Sequence, residues 1–237
     1  MRPLRRSFLM FLRQIYGDSM LFAALAGCVL AAFFFRFGVP ALERVLCSYF
    51  GRAAILAPYY LLVDLFLSLI TPFLFLFVSA MVMLSEYDEN LASYLAVTPV
   101  GKRGYIVSRL VFPAALSLLV SLLFLRLFSL TGWRLLPAIV TCLLTGLSSL
   151  AAALLIFSFS HNRVEGMAVA KLSGLLMLGL TVPFFLNSGV SWLFSPLPSF
   201  WIAKLCLEDN PLFLPGALLT AAVWTALLYR KFLRKLS

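Results

Sequence analysis

The side chains able to do chemistry are few in this sequence, and their spacing argues against catalysis. His161 is the single histidine, beside Asn162 and Arg163, and reads as a solvated residue at a helix end. Ser188-Gly189 offers a nucleophile, but the topology below sends His161 to the opposite face, outside the hydrogen-bond reach a general base needs. The four cysteines, Cys28, Cys47, Cys142 and Cys206, form neither a CxxC pair nor part of a His-rich cluster, so no metal site is expected. Cys28 and Cys142 sit inside apolar runs as packing residues. Cys47 and Cys206 fall on one side, where a disulfide is open to them. A phosphate cradle needs several glycine amides and a Lys before Ser or Thr; Gly101-Lys102-Arg103 has neither. The chain is expected to be non-catalytic and to bind no cofactor of its own.

Charged groups inside apolar runs form a second class. Asp64 lies within such a run, roughly two turns from its outer end. A carboxylate at membrane depth is costly and marks a partner or a pathway. Arg126 falls at similar depth in the next, antiparallel run, and Arg36 ends the first run. An ion pair of Asp64 with Arg126 or Arg36 is therefore expected.

The elements that must position these groups follow from composition. Hydrophobic residues make up 63% of the 237 and charged ones 12%, against roughly 45–50% and 25% in soluble domains. Lipid must replace water over a wide belt. Six spans are predicted: Ser19–Phe37, Ile55–Leu84, Ile106–Leu130, Leu135–Phe159, Ala168–Leu186 and Leu212–Tyr229, each near the ~20 residues a bilayer requires. Pro72 should bend the second, Pro113 the third, and Pro183 lies in the fifth. Residues 2–16 form an amphipathic helix with Leu4, Phe8, Phe11, Leu12 and Ile15 on one face, lying along the membrane interface. Leu25-Ala26-Gly27-Cys28 resembles a lipoprotein cleavage box, but Val29 to Phe37 stay apolar beyond it, so the run is read as a retained helix. Residues 187–211, with Trp192, Pro196, Pro198 and Trp201, suit short helices dipping into the outer interface. The small-residue stripes Ala23, Gly27, Ala31 and Thr145, Ser149, Ala153 suit close helix packing. Two units result: the interfacial helix, 1–17, and a transmembrane domain, 18–237.

The net charge of +10 does not point to nucleic acid, because Arg and Lys cluster beside apolar runs, as juxtamembrane charges do. Thirteen of the 19 fall in segments on the side shared by both chain ends. That bias places both ends in the cytoplasm.

The densest signal is the loop 85–105. Glu86, Asp88 and Glu89 gather where the second run leaves the membrane. Leu91, Tyr94 and Leu95 then give a short helix an apolar side, Thr98-Pro99 ends it, and Lys102 and Arg103 form a basic turn. Such a segment is suited to docking in a groove on a soluble partner. This stretch resembles the first cytoplasmic loop of ABC-2 type permeases, where an acidic start, a short helix and a Thr-Pro followed by a basic residue recur. Arg163, Glu165, Gly166 and Lys171 resemble the second-loop segment of multidrug and fluoroquinolone-type export permeases. The amino-terminal helix and the Pro/Trp-rich stretch also fall where that family has them. Asn90-Leu91 departs from the Gly-Thr frequent in the family.

The resemblance implies an all-α half-transporter of the ABC-2, type V exporter-like kind in a bacterial inner membrane. It would pair with an identical or homologous second permease and with two ATP-binding subunits that hold ATP and Mg. The segment from Glu86 to Pro99 would be the coupling helix, and the cargo an amphipathic small molecule or drug. A passive channel or scaffold without an ATPase partner is the alternative.

Overall fold

The computed structural model describes residues 2–89, 101–186 and 188–235, and every element among them is helical. Helix α1 (Arg2–Gly17) is followed by four long helices: α2 (Ser19–Phe50), α3 (Ala57–Asp88), α4 (Arg103–Phe128) and α5 (Leu135–Phe159). Then come α6 (Arg163–Ser173), a 3-10 stretch (Gly174–Leu180) and a turn of α-helix (Val182–Phe185). The chain ends with α7 (Pro198–Glu208) and α8 (Pro211–Lys235). Among the described residues, five helices, α2–α5 and α8, are long and apolar enough to cross a membrane.

The expected fourth span matches α5 in full. The first runs longer than expected, continuing from Phe37 to Phe50 through a π-helical turn, Phe34–Gly38. The expected fifth span, Ala168–Leu186, is not one α-helix. Gly174 and Gly179 weaken α-helix, Pro183 withholds an amide, and the chain tightens to 3-10 geometry between them. Ser199 Oγ donates to the Leu176 carbonyl there.

Helices α3 and α5 form the centre, with 56% and 61% of their most apolar windows buried, against 17% for α2 and α8. The outer helices show stripes of exposed apolar residues, Leu116, Leu119, Leu123 and Leu127 on α4 among them. Those spacings are one helical face, turned to lipid.

Prolines are accommodated by neighbours. Pro72 lies inside α3 and cannot donate to the carbonyl of Ser68 four residues earlier. Ser121 Oγ of α4 donates to that carbonyl instead, at 3.0 Å. Pro113 likewise frees the carbonyl of Arg109, which accepts from Ser79 Oγ of α3. A π-turn, Val107–Val111, sits just before Pro113, and the π-turn of α2 sits just before Pro40. In hydrocarbon a freed backbone group needs such a protein partner.

Candidate functional site

The loop that carried the sequence signal leaves α3 and re-enters at α4, and the base of this hairpin is fastened by charge. Glu86 is buried, 1% exposed, rather than presented to a partner. One face of the last turn of α3 packs inside the bundle, where Arg109, at 0% exposure, meets Glu86. Arg109 Nε donates to both Glu86 oxygens at 3.1 and 3.0 Å, and Nη2 donates to Oε1 at 2.6 Å. Nη1 donates to the Ser7 carbonyl of α1 at 2.7 Å. The guanidinium lies 5.3 Å from the ring centre of Phe11 and 5.9 Å from that of Tyr105. Ser7 and Ser108 hydroxyls meet at 3.1 Å. One arginine therefore joins the exit of α3, the entry of α4 and the amphipathic α1. The forked guanidinium suits this, offering five donors in fixed directions.

Of the other loop residues, Asp88, Glu89 and Arg103 are exposed around the hairpin base. Leu91, Tyr94, Leu95, Thr98 and Pro99 lie outside the described residues, as does the side chain of Lys102.

The second-loop residues are also drawn to this end. Asn162 caps α6, accepting from the Glu165 amide at 2.9 Å, while the Glu165 carboxylate accepts from the His161 amide at 2.7 Å. The first satisfies an amide the helix start leaves open; the second ties the residue before the cap to the first turn. Arg163 pairs with Asp18 at 2.5 Å, and Asp18 caps α2 by accepting from the Met20 and Leu21 amides. Burial pushes the Asp18 carboxyl up, but the Arg163 contact and the two amides outweigh it and hold the group below its ordinary value. Gly166 packs so closely on Leu84 and Met81 of α3 that a Cβ there would overlap the Leu84 side chain. Lys171 is exposed.

At the opposite end the expected ion pair does not form. Asp64 accepts from the Leu130 amide at 2.8 Å, the Thr131 amide at 3.0 Å, Thr131 Oγ1 at 2.5 Å and Trp133 Nε1 at 3.0 Å. Arg36 and Arg126 donate to the Ser129 and Trp133 carbonyls, each at 2.7 Å. All three side chains reach the turn between α4 and α5, but each binds the turn rather than one another. The turn's open amides and carbonyls satisfy both signs of charge separately. Glu43 acts similarly, accepting from the amides of Ile55, Leu56 and Ala57. The four cysteines are free, so Cys47 and Cys206 do not pair; Cys206 Sγ meets Thr141 Oγ1 at 3.4 Å.

Arg109 entered the sequence reading only as one charge among many, and Ser7, Ser79 and Ser121 not at all. Two signals were present. Ser7 is the polar member of the Ser7, Phe11, Ile15 face of α1, and each intramembrane proline implies an open carbonyl four residues before it.

The chain is similar to two Mycobacterium tuberculosis proteins. These are the fluoroquinolones export permease protein MT2760 of strain CDC 1551 / Oshkosh and the fluoroquinolones export permease protein Rv2686c of strain H37Rv. Each is 29% identical over 170 residues, covering 66% of this chain and 65% of the relative, so the match spans just under two thirds of the relatives' own length. No solved structure matches the chain. The family model described as fluoroquinolones export permease protein Rv2686c-like matches residues 11–232, a range that holds the Glu86–Arg109 pair and the capped second loop. The chain belongs to this family of permeases.

Proposed function

We propose that the chain is the membrane subunit of an ATP-driven ABC-2 exporter. It works beside a second permease, with two ATP-binding subunits on other chains holding ATP and Mg. The cargo is an amphipathic small molecule of the kind named for the relatives, a fluoroquinolone-like drug. The carrying observation is the clasp: a wholly buried Arg109 ties Glu86 to the far side of the hairpin. A soluble motor seated on residues 88–103 would then push on a braced base instead of a loose loop. Asp88, Glu89 and Arg103 are exposed around that base and are free to take part in docking.

The clasp, α1, Asp18, the capped start of α6 and the end of α8 share one end of the bundle. Lys235 of α8 donates to carbonyls of Phe157 and Ser160 and lies 4.5 Å from the Tyr87 ring. This grouping agrees with the charge bias that puts both chain ends in the cytoplasm of a bacterial cell. The interrupted stretch 163–185 supports a sixth crossing. It starts at Asp18 and ends with Phe185 stacked on Tyr59, 5.1 Å away, at the other end of α3. Its α and 3-10 segments rise about 36 Å, against roughly 30 Å of hydrocarbon.

The test is a single cysteine at position 94 (Tyr94→Cys) in the chain co-produced with its ATP-binding subunit. A crosslink between the two, together with ATP-dependent accumulation of a fluoroquinolone in inverted vesicles, is expected. Correct insertion with neither crosslink nor accumulation would refute the reading.

A further inference from the structure

Beside the clasp, the same end of the bundle carries a groove of about 610 Å³, within the size range of small-ligand clefts. Its wall holds Arg230, Lys231, Arg234 and Lys235, spaced so that they share one side of the last turns of α8. Tyr87 and Ser158 close the groove from α3 and α5. Lys231 lies 3.2 Å from the centre of the Phe159 ring. Lys235 spends two of its three protons on the carbonyls of Phe157 and Ser160, which leaves one to donate. Ser158, 8% exposed, keeps a buried hydroxyl without a hydrogen-bond partner among the described residues, a condition that asks for a missing partner. The nearby carboxylate, Glu165, is engaged with His161. The groove is thus strongly cationic, and Lys235 and Ser158 keep donors for a ligand.

Toward the middle of α8 the same wall turns apolar. Leu227 lines it, and Leu227, Val223 and Leu219, four residues apart, stand 62%, 48% and 66% exposed along α8. The groove is therefore the polar end of a lipid-facing stripe. We propose that it binds the phosphodiester headgroup of an anionic phospholipid, with an acyl chain along Leu227, Val223 and Leu219. A soluble phosphate would use the cations but not the stripe, and an acidic protein would not need a track that continues to mid-membrane depth. Basic pockets at the cytoplasmic ends of membrane helices suit such headgroups.

The full chain, purified in detergent, is titrated with phosphatidylglycerol, phosphatidylcholine or inorganic phosphate, with bound lipid read by native mass spectrometry and unfolding by a thermal ramp. Phosphatidylglycerol should be retained and should raise the melting temperature; the other two should not. The double variant Arg230→Gln/Arg234→Gln should retain phosphatidylglycerol about 25-fold less tightly, at roughly 5-fold per arginine. It leaves Lys235 and its carbonyl contacts in place, and its melting temperature in phosphatidylcholine reports that it is folded. Leu227→Ser should weaken the lipid and leave any response to inorganic phosphate unchanged. Equal retention of the two lipids, or undiminished phosphatidylglycerol in a folded double variant, would overturn the proposal. So would inorganic phosphate stabilising as strongly as the lipid, which would make the groove a soluble-anion site.

Discussion

Replacing Arg109 by Met tests the clasp most directly. The variant removes the three contacts to Glu86 and the one to the Ser7 carbonyl, and leaves a carboxylate at 1% exposure without its counter-ion. Breaking one side of a buried pair costs about 3–5 kcal/mol, chiefly because the surviving charge stays buried. For a chain of this length that is a drop of about 6–20 °C in melting temperature. Replacing Glu86 by Leu should cost a similar amount, since Arg109 is then the stranded ion. The double variant removes both charges and should recover most of the loss, as buried pairs exchanged for apolar residues of similar volume often do. The assay is thermal unfolding in detergent with a thiol-reactive fluorophore, because Cys28 and Cys142 are free and buried until the bundle opens. A cycle whose double variant is as unstable as the two single losses combined would refute the reasoning, as would single variants within about 1 kcal/mol of the parent, the size of an exposed pair.

Gly179→Ala should lower stability by about 1–3 kcal/mol, because a Cβ there would meet the Phe200 amide nitrogen at 2.8 Å and Ser199 Oγ closer still; thermal unfolding indistinguishable from the parent would show that α7 can shift away. Asp64→Asn should cost about 1–3 kcal/mol and change Trp133 emission, since an amide presents a donor to a site where four donors already converge. Ser121→Ala should cost about 1 kcal/mol in the parent and little in Pro72→Ala, where the restored amide can reach the Ser68 carbonyl; equal losses in both backgrounds would count against the proline account. Asp18 is held below its ordinary value, so its contribution is present above the normal carboxylate range and is lost as pH falls through the lowered value. The melting-temperature gap between the parent and Asp18→Asn should therefore be steady near pH 7 and shrink under acid conditions; a gap that widens on acidification would contradict the Arg163 contact.

Much of the architecture was legible because its signals are local. The length of α5, the amphipathic α1 and the start of α8 follow from apolar runs and helical spacing alone. The Arg and Lys count groups both chain ends on one side, and the structure gathers Asp18, Glu86, Arg163 and Lys235 at one end of the bundle. What failed was the choice of partner. Asp64, Arg126 and Arg36 do meet at one end, but charge attraction is not the decisive force there: the backbone of the turn at 129–133 offers donors and acceptors that a sequence does not display. Glu86 was grouped with Asp88 and Glu89 because the three are adjacent; only the helical phase of α3 against α4 turns the first inward and leaves the others exposed. The interruption at 174–180 was half visible, in Gly174, Gly179 and Pro183, yet those residues do not reveal that Ser199 would take up the Leu176 carbonyl.

Four polar contacts of α3 share one destination. Asp64 binds the turn after α4, the Ser68 carbonyl accepts from Ser121, Ser79 donates to the Arg109 carbonyl, and Glu86 pairs with the Arg109 side chain. These links succeed one another from one end of α3 to the other, against α4 running antiparallel. In lipid, apolar side chains gain little by choosing one neighbour over another, so polar links and close packing set helix register. Helices α3 and α4 are therefore fixed along their whole length, and sliding one past the other would strand a buried charge at one end and an open carbonyl in the middle. In the proposed exporter, a displacement applied at the hairpin base would move the pair as a body, carrying the turn at 129–133 with it. Disulfides placed to lock α3 to α4 should consequently leave transport intact, while locks between this pair and α5 should stop it. The opposite pattern would show that the two helices move relative to each other.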